Sequence, residues 1–348
     1  MFASDFDFNL PPSLIAQTPT ASRTASRLLV LERRTGRCTH ATFADLPGPL
    51  GRGDLLVLND TRVLRARLLG RRIPSGGAVE FMLLGPLGGD RWDALVHPGQ
   101  KLRAGEQCLF EAGGARVLAE VLERKFYGRR TVRLWTPDGR DLATAIDAIG
   151  HVPLPPYIKR ADREDDRERY QTVYARACAS VAAPTAGLHF TESLLLEIER
   201  GGVDRAFVTL HVGYGTFKPV RQDRVEDHAV DRESFEIGSA AAGAINEAVD
   251  EGRRVVAVGT TTTRALEASA ARHRGRVASG QDSTDLFIYP GHAFQVVGAL
   301  LTNFHLPRSS LLMLACAFGG RERVLAAYHE AIARGYRFYS YGDAMLIV

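Results

Sequence analysis

Between Val63 and Ile149 the sequence changes character in a way that restricts the possible folds. Short apolar runs follow one another there, separated by turn-forming pairs such as Gly76-Gly77 and Asp138-Gly139, and no long helical pattern begins before about Leu142. Closely spaced strands between turn signals are typical of a small all-β barrel. We therefore predict an antiparallel β-barrel domain over residues 63–150. Its predicted strands are Val63–Leu69, Ala78–Leu84, Arg91–Val96, Gln107–Phe110, Ala115–Leu122 and Arg130–Trp135.

On both sides of this segment, strand-like runs alternate with helical patterns, which indicates a layered α/β domain. We predict that residues 1–62 and 151–348 form this domain, that the barrel is inserted into it, and that the Pro-rich His151–Tyr157 leads back. Its predicted strands are Leu28–Leu31, Leu55–Leu58, Ala206–Val212, Arg254–Val258 and Leu286–Tyr289, with one or two more after Gly335. Its main predicted helices are one capped by Thr191, one that opens after Gly259, and the segments Ala240–Glu251, Leu311–Phe318 and about Arg321–Arg334. The segment Tyr170–Tyr174 is either a strand or a loop that leads into the site.

Composition narrows the class of protein. The 348 residues are 45% hydrophobic, which is enough for a substantial core, and the net charge of +4 permits a nucleic-acid partner without requiring one. The four cysteines are far apart and show no C-x-x-C spacing. We therefore expect reduced thiols and no metal site. The chain shows no signal-peptide pattern and no apolar run that could span a bilayer, so we expect a cytoplasmic protein.

The stretch from Ala183 to Phe217 reads as loop, helix, strand and loop. Thr191 can cap the helix and Gly201 can end it. Each flanking loop combines small residues with a Thr and a His, which suggests two walls of one pocket. The first loop holds Pro184, Thr185, Gly187 and His189, and the second holds His211, Gly213, Gly215 and Thr216. Ordinary turns with structural histidines remain the alternative for each loop.

Polar residues also follow other predicted strands. Ligands bind beyond the carboxyl ends of strands in α/β sheets, although Asn and Asp make ordinary turns equally often. After Val258, a Gly-Thr sequence opens a helix, a geometry that suits an anion or a hydroxylated ligand. A third cluster precedes an entirely apolar helix, so we expect it to face a central cavity. The three clusters are Asn59, Asp60, Thr61 and Arg62; Thr260, Thr261 and Arg264; and Asn303, His305, Ser309 and Ser310.

The predicted barrel carries basic residues near the aromatic side chains of Phe126 and Tyr127. This combination suits single-stranded nucleic acid through phosphate contacts and base stacking. The alternative is a strand face that is simply exposed to solvent, and the pattern of basic and aromatic residues taken by itself favours this alternative over nucleic-acid binding. The basic residues are Arg65, Arg67, Arg71, Arg72, Arg124, Lys125, Arg129 and Arg130.

Taken together, these segments give the sequence its resemblance to a known family. The matching runs include LPPSLIAQTP, DLLVLNDTRV, SVAAPTAGLHFT, VTLHVGYGTFKPV, VGTTTTRALE, LLTNFHLPRSSLLMLACAFGG and YRFYSYGDAMLI. The chain resembles, over nearly its whole length, the S-adenosylmethionine:tRNA ribosyltransferase-isomerases of queuosine biosynthesis. It departs from that family at Val230 and Asp231, where a His-x-Met-His-x-Glu run is usual, and at His292 and Gly298.

The resemblance implies an enzyme with an α/β domain and an inserted barrel. It implies that S-adenosylmethionine, a co-substrate and not a bound prosthetic group, donates its ribosyl part to 7-aminomethyl-7-deazaguanine at the tRNA wobble position. Epoxyqueuosine-tRNA, adenine and methionine would be the products. Two other classes stay open: an S-adenosylmethionine-dependent tRNA methyltransferase, and a non-catalytic RNA-binding protein. The absence of a heptad repeat favours a monomer.

This chemistry needs groups that move protons, groups that bind the substrate and groups that bind tRNA. The expected proton-transfer residues are His189, His211 and His305, followed by Glu233 and Asp285. The expected substrate-binding residues are Asn59, Asp60, Thr61, Arg62, Thr185, Gly187, Gly213, Gly215, Thr216, Thr260, Thr261, Arg264, Asn303, Ser309, Ser310 and Asp343. The basic residues of the barrel are expected to bind tRNA.

Overall fold

The computed structural model describes residues 1–213, 215 and 220–348, with their side chains except those of Lys101, Tyr127, Cys178 and Ala179. Before the barrel its strands are β1 (Arg27–Leu31), β2 (Cys38–Thr42), β3 (Leu55–Asn59) and β4 (Thr61–Val63). The barrel strands are β5 (Arg67–Ile73), β6 (Ala78–Gly88), β7 (Arg91–His97), β8 (Gln107–Ala112), β9 (Ala115–Arg124) and β10 (Arg129–Trp135). The later strands are β11 (Ala177–Ser180), β12 (Asp204–Leu210), β13 (Glu233–Ile237), β14 (Val255–Val258), β15 (Gly280–Thr284), β16 (Ala299–Asn303) and β17 (Ala344–Ile347).

The α-helices of the same residues are α1 (Leu142–Ile149), α2 (Asp166–Arg169), α3 (Glu192–Arg200), α4 (Ser239–Asp250), α5 (Thr260–Arg272), α6 (Ser310–Gly319) and α7 (Arg321–Ala333). Short 3₁₀ turns join several elements, and the turn at Thr185–His189 bears on the site. In the part of the chain described, no helix is long and apolar enough to cross a membrane.

One mixed sheet runs through the main domain. Its strand order over the described residues is β15-β13-β12-β3-β14-β16-β17-β1-β2. The four central strands β12, β3, β14 and β16 are parallel to their neighbours within that group. Since parallel strands end at the same edge of a sheet, the loops that follow Leu210, Asn59, Val258 and Asn303 meet there.

Successive side chains of the central strands enter two separate cores. Leu56 and Leu58 of β3 pack in the core that contains α3, whereas Leu55 and Val57 pack in the core that contains α4, α5, α6 and α7. This alternation is the two-residue period of a strand buried on both faces. Helix α3 shows the local logic, because Thr191 caps it by accepting a hydrogen bond from Leu194 N at 3.2 Å. Such a cap contributes about 1 kcal/mol to helix stability.

Strands β5 to β10 close into a barrel in the order β10-β7-β6-β5-β8-β9. Every neighbouring pair is antiparallel. Its interior is filled by side chains such as Phe81 and Phe110, and α1 adds Ala145, Ile146 and Ile149 to the same core. Closure leaves no unpaired strand edge in the barrel.

The predicted fold class, a layered α/β domain with an inserted antiparallel barrel, is confirmed. The domain boundaries at 62/63 and 150/151 stay a prediction. The predicted strand Leu286–Tyr289 is wrong, because that segment is irregular and the strand, β15, precedes it. The segment Tyr170–Tyr174 is a loop and not a strand.

Candidate active site

A cavity of about 350 Å³ opens at the carboxyl edge of the four parallel strands. Ligand sites in α/β proteins are expected at such an edge. The loops after β11, β14 and β16 supply most of its wall, and Val212 follows β12. The lining residues are Pro156, Tyr157, Ala182, Ala183, Pro184, Thr185, Ala186, Val212, Gly259, Thr260, Thr261, Thr302, Asn303, His305, Leu306, Pro307, Ser309, Leu311, Tyr339 and Ser340.

Asn303 presents a buried hydrogen-bond acceptor at this cavity. Its Nδ2 donates to the carbonyl of Tyr339 at 3.0 Å and contacts Nε2 of His189 at 3.1 Å. A carbonyl can only accept, so the amide nitrogen must face Tyr339 and the amide oxygen must face away. That oxygen, Oδ1, is buried and has no hydrogen-bond partner among the described residues. An unpaired buried acceptor is costly unless a ligand or water supplies a donor.

The orientation of Asn303 also defines the protonation of His189. Because Nε2 of His189 accepts from Asn303, the ring proton resides on Nδ1, which lies 2.7 Å from Oγ of Ser26. The hydroxyl of Ser26 in turn donates to the carbonyl of Arg23. Burial, with smaller contributions from Arg23 and Arg337, lowers the pKa of His189 from 6.5 to about 3. His189 is therefore neutral at pH 7 and stands behind Asn303.

His305, in contrast, lines the cavity itself. Its Nε2 lies 2.7 Å from Oγ1 of Thr302, and its backbone N–H donates to the hydroxyl of Tyr328 at 3.0 Å. Burial lowers the pKa of His305 to about 3. The ring is therefore neutral at pH 7, and it is a weak base because burial destabilises its protonated form.

His211 lies next to the strand ends and contacts the β4 segment. Its Nδ1 is 3.0 Å from Oγ1 of Thr61, which is also 2.6 Å from Oγ of Ser180. Burial lowers the pKa of His211, and Asp60 and Glu236 partly oppose that shift. Asp60 accepts hydrogen bonds from Thr209 and Arg176. These contacts attach the second loop of the Ala183–Phe217 stretch to the end of β3.

Asn59 has no hydrogen-bonding capacity left for a ligand. Its Oδ1 accepts from the N–H groups of Thr61 and Leu210, and its Nδ2 donates to the Leu210 carbonyl and to Thr261 Oγ1. A side-chain amide offers two donors and one oxygen with two lone pairs, so all four are used. Asn59 therefore ties β3 to β12 and to the start of α5.

Two helices begin at the cavity wall. The backbone N–H of Thr263 makes the first hydrogen bond of α5, to the Gly259 carbonyl, so the N–H groups of Thr260 and Thr261 precede the helical ladder. Helix α6 begins after Ser309, whose hydroxyl accepts from Leu312 N. Helix N-termini favour anionic or electron-rich groups.

A buried ion pair lies beside a second, much smaller cavity that shares Leu311 with the first. The Arg264 guanidinium donates to the Glu233 carboxylate, and both side chains are more than nine-tenths buried. Glu233 also accepts from the N–H of Gly213 at 2.9 Å. Asp231 and Ser310 line the same small cavity. The pair therefore fixes the loop after β12 against α5.

The remaining predicted residues lie elsewhere. Asp285 is exposed and pairs with Arg232 at 3.2 Å, away from the cavity lining. Asp343 is buried and accepts from the N–H groups of Arg27 and Arg337, which makes it a structural carboxylate. Arg62 is exposed, Gly187 and Gly215 pack closely against neighbours, and Thr216 lies outside the described residues.

Most of the basic barrel residues have acidic neighbours. Arg67 pairs with Glu80, Arg71 with Glu111, and Arg65 with Asp147. Arg129 and Lys125 both pair with Asp93. Arg72 lies on β5 and Arg124 on β9. Arg130 does not fit its predicted role, because its side chain is buried and donates to the backbone carbonyls of Gly99 and Arg129. Between β9 and β10, Phe126 is 87% exposed.

Comparison with known proteins decides the family. Residues 3–347 match the model of the queuosine biosynthesis protein family. The chain belongs to that family. A relative from Heliobacterium modesticaldum named S-adenosylmethionine:tRNA ribosyltransferase-isomerase is 53% identical over 343 residues, which cover 99% of this chain and 98% of the relative. A protein of the same name from an Anaeromyxobacter species is 54% identical over 350 residues, which cover 100% and 99%.

A solved structure supports the family assignment. The crystal structure of S-adenosylmethionine tRNA ribosyltransferase from Thermotoga maritima is 37% identical and covers 99% of this chain and 100% of its own, with a TM-score of 0.56. The predicted family membership, and with it the prediction that the chain is an enzyme, is confirmed.

Several cavity residues of this family member were not predicted from the sequence. Tyr157 lies in the segment interpreted as a linker, and Tyr339 and Ser340 lie in the aromatic run near the end of the chain. Thr302 is a polar residue within the buried strand β16. Their signal was weak, because aromatic residues after prolines or before a last strand are equally typical of core packing. Within the described part of the chain, no group of His, Cys, Asp and Glu side chains could hold a metal ion.

Proposed function

We propose that the chain transfers and isomerises the ribosyl part of S-adenosylmethionine onto 7-aminomethyl-7-deazaguanine at the tRNA wobble position. Adenine and methionine leave, and epoxyqueuosine-tRNA is the product. The observation that carries this proposal is the match, at more than half identity and over the full chain, to relatives named S-adenosylmethionine:tRNA ribosyltransferase-isomerase. The acceptor base and the products are those that the resemblance to the family implies. The cavity at the carboxyl edge of the sheet supports it, because its size and mixed lining suit a small polar ligand with an aromatic base.

The reaction sets three chemical demands on that cavity. The sulfonium acidifies the neighbouring ribose carbon, so a group must accept a proton there. Adenine leaves more easily when it is protonated, and the aminomethyl group must be neutral to attack. Help of this kind contributes about 10²–10⁴-fold per group.

His305 is our first choice as the proton-transfer residue, since its side chain lines the cavity. His211 is the second, because its neighbour Val212 lines the cavity and its ring is only half-buried. His189 instead supports Asn303 from behind and serves as a positioning residue. Glu233 is neutralised by Arg264, and no role is proposed for the exposed Asp285.

Substrate binding is proposed for residues and helix N-termini that line the cavity. The first turn of α5, with Thr260 and Thr261, and the start of α6 at Ser309 suit the carboxylate of the methionine part or the ribose hydroxyls. Thr185 lines the same cavity. Asn59, Asp60 and Thr61 position these elements through their mutual hydrogen bonds.

For tRNA, we propose that the tip between β9 and β10 forms the contact surface. Phe126 is exposed there beside Arg124, Lys125 and Arg129. The side chain of Arg129 remains about half exposed while it pairs with the buried Asp93, so its remaining N–H groups can donate to a phosphate. An unpaired anticodon base can stack on the aromatic ring.

We further propose that the enzyme acts as a monomer in the cytoplasm. Light scattering after size-exclusion chromatography tests the monomeric state.

A product assay tests the reaction. The protein is incubated with S-adenosylmethionine and tRNA that carries the aminomethyl-deazaguanine base, and the small molecules are separated by chromatography. We expect free adenine and methionine in equal amounts, and neither with tRNA that carries guanine at the wobble position. Adenosylhomocysteine in their place would mean methyl transfer and would contradict the proposal.

Two variants of the same residue type locate the chemistry. His305→Gln should lower kcat at least about a hundredfold, because the ring that accepts a proton is lost. His329→Gln, on the exposed face of α7, should leave kcat unchanged. Equal rates for both variants would remove His305 from the mechanism but would leave the reaction itself established.

A further inference from the structure

The cavity contains a buried acceptor whose partner is missing within the described protein. Asn303 is 2% exposed, its Oδ1 makes no hydrogen bond, and the Tyr339 carbonyl prevents the amide from turning around. The contact with His189, itself fixed by Ser26, adds a second constraint on the same amide. An acceptor that is buried, oriented and unpaired selects a ligand that brings a donor.

The surroundings of Asn303 identify the kind of donor. Among the described residues that line the cavity, none is Asp, Glu, Lys or Arg. An ammonium group needs a carboxylate beside it when it leaves water, so a charged donor is poorly accommodated at the buried Oδ1 of Asn303. A neutral exocyclic amine meets no such penalty.

The aromatic residues next to Asn303 indicate a planar ring system. Tyr157 and Tyr339 both line the cavity, and their ring centroids are 3.9 Å apart. The Tyr157 hydroxyl is held by Ser340 at 2.5 Å, so the ring is fixed. Tyr339 adopts a left-handed backbone conformation with φ of 74°, which a non-glycine residue rarely takes, and it is the residue whose carbonyl orients Asn303. Aromatic faces beside an oriented acceptor suit a heterocycle that carries an amino group.

We infer that Asn303, Tyr157 and Tyr339 form the adenine subsite, in which Oδ1 of Asn303 accepts a hydrogen bond from the 6-amino group. This inference rests on the proposed function, because it assumes that S-adenosylmethionine occupies the cavity. It makes Asn303 the residue that distinguishes a 6-amino purine from a 6-oxo purine. His189 and Ser26 act on this choice only through the orientation of the amide.

The test compares S-adenosylmethionine with S-inosylmethionine, which has an oxygen in place of the 6-amino group. Competition between the two in equilibrium dialysis measures binding, and the release of adenine or hypoxanthine with modified tRNA measures kcat/KM. The wild-type protein should prefer S-adenosylmethionine at least about tenfold in both, because a 6-oxo group faces Oδ1 with acceptor against acceptor. A wild-type protein that binds both equally would overturn the subsite.

Two asparagine variants make the test specific. Asn303→Leu removes the acceptor at similar size, and its preference should fall to within about twofold of unity in dialysis. Asn59→Leu removes an amide whose hydrogen bonds are all internal, so it should weaken both ligands equally and keep the wild-type ratio. An unchanged preference in Asn303→Leu would also overturn the inference. Since each ratio is measured within one variant, a partial loss of folding does not affect it.

The dialysis and the product assay fail separately. If adenine is released from S-adenosylmethionine but the two ligands bind equally, the reaction stands and the subsite does not. If the preference is found but modified tRNA yields no adenine, the subsite stands and the proposed reaction does not.

Discussion

Asn59 and Asn303 each end a strand of the parallel group, yet their amides serve different purposes. The amide of Asn59 is fully used within the protein, in bonds to β12 and α5. The amide of Asn303 uses only its nitrogen internally and turns its oxygen toward the cavity. The difference is set by neighbours that are distant in sequence, Leu210 for the first residue and Tyr339 for the second. Residue type and place in a strand could therefore suggest both as ligand contacts but could not separate them.

The exposed side chain of Phe126 leads to a prediction on tRNA binding. Phe126→Ala should weaken tRNA about tenfold, since a stacked base contributes about 1–3 kcal/mol. Leu87→Ala is the control, because Leu87 is also an exposed apolar residue of the barrel. It lies near the start of β7, where Gly88 pairs with Arg91, whereas the Phe126 tip lies near the end of β7, where Arg129 pairs with Leu95. Affinity is measured by filter binding at several salt concentrations.

The salt dependence separates stacking from charge in that experiment. Wild type and Phe126→Ala should share one steep slope of log affinity against log salt, because the arginines are retained. A flat slope in the wild-type protein would contradict a surface that contacts phosphates, and equal affinity of both alanine variants would contradict stacking by Phe126.

At the scale of elements, the 3₁₀ turn Thr185–His189 places one cavity wall and depends on a glycine. A Cβ at Gly187 would lie 2.2 Å from the Tyr174 hydroxyl and 2.8 Å from Cγ2 of Thr172. Tyr174 cannot retreat easily, because its ring packs against Phe190 and Phe207. Gly187→Ala should therefore lower the free energy of unfolding by about 1–3 kcal/mol and reduce kcat/KM, since Thr185 must move.

A second glycine supplies the matched control. Gly243 lies within α4, and a Cβ there would meet no atom within 4 Å. Gly243→Ala should raise the free energy of unfolding by about 0.5–1 kcal/mol and leave kcat/KM unchanged. Urea unfolding of both variants measures the stabilities. A Gly187→Ala protein as stable and active as wild type would show that the turn tolerates displacement.

Strands and helices whose apolar residues recur at regular spacing were predictable from the sequence, and those without such a pattern were not. The barrel strands, α5 and α6 were found because burial imposes their pattern and glycines separate them. Strand β15 was missed because it is a sheet edge whose GQDST sequence is mostly exposed. Leu286–Tyr289 was predicted as a strand because it is an apolar run. Its Ile288 is indeed buried in the core, but the segment does not pair with the sheet. The part of the cavity wall formed by Tyr157 and Tyr339 could not be predicted from the sequence. These residues are 182 positions apart, and only the tertiary fold brings them together.

For the molecule as a whole, the buried neutral histidines predict loss of stability in mild acid. Burial, with Arg23 and Arg337 adding to it at His189, lowers the pKa of His189 and of His305 from 6.5 to about 3. As the pH falls below 6.5, the unfolded chain therefore binds protons that the folded chain does not. Stability is complete above pH 6.5 and is lost from there toward pH 3, by up to about 1.4 kcal/mol per pH unit for each ring.

The buried carboxylate of Asp166 adds little to this loss in the upper part of the window. Asp166 is buried, but hydrogen bonds from Arg160 and Tyr341 outweigh that burial and lower its pKa below the usual 3.8. Its contribution to stability is present above that value and is lost only as the pH falls through its folded pKa. The decline between pH 6.5 and 5 is therefore mainly a property of buried histidines, and His189 and His305 together should contribute about 4 kcal/mol to it at pH 5.

Urea unfolding followed by circular dichroism at pH 7.0, 6.0 and 5.0 measures this decline. His189→Gln and His305→Gln should each reduce the decline by about 2 kcal/mol, because each removes one ring that the unfolded chain can protonate. His211, whose pKa burial also lowers, contributes to the decline that remains. His329→Gln, exposed on α7, should keep the wild-type curve and differ only slightly in stability. If wild type is equally stable at pH 7 and pH 5, the two rings are not held neutral, and the argument that assigns His189 to positioning fails with them.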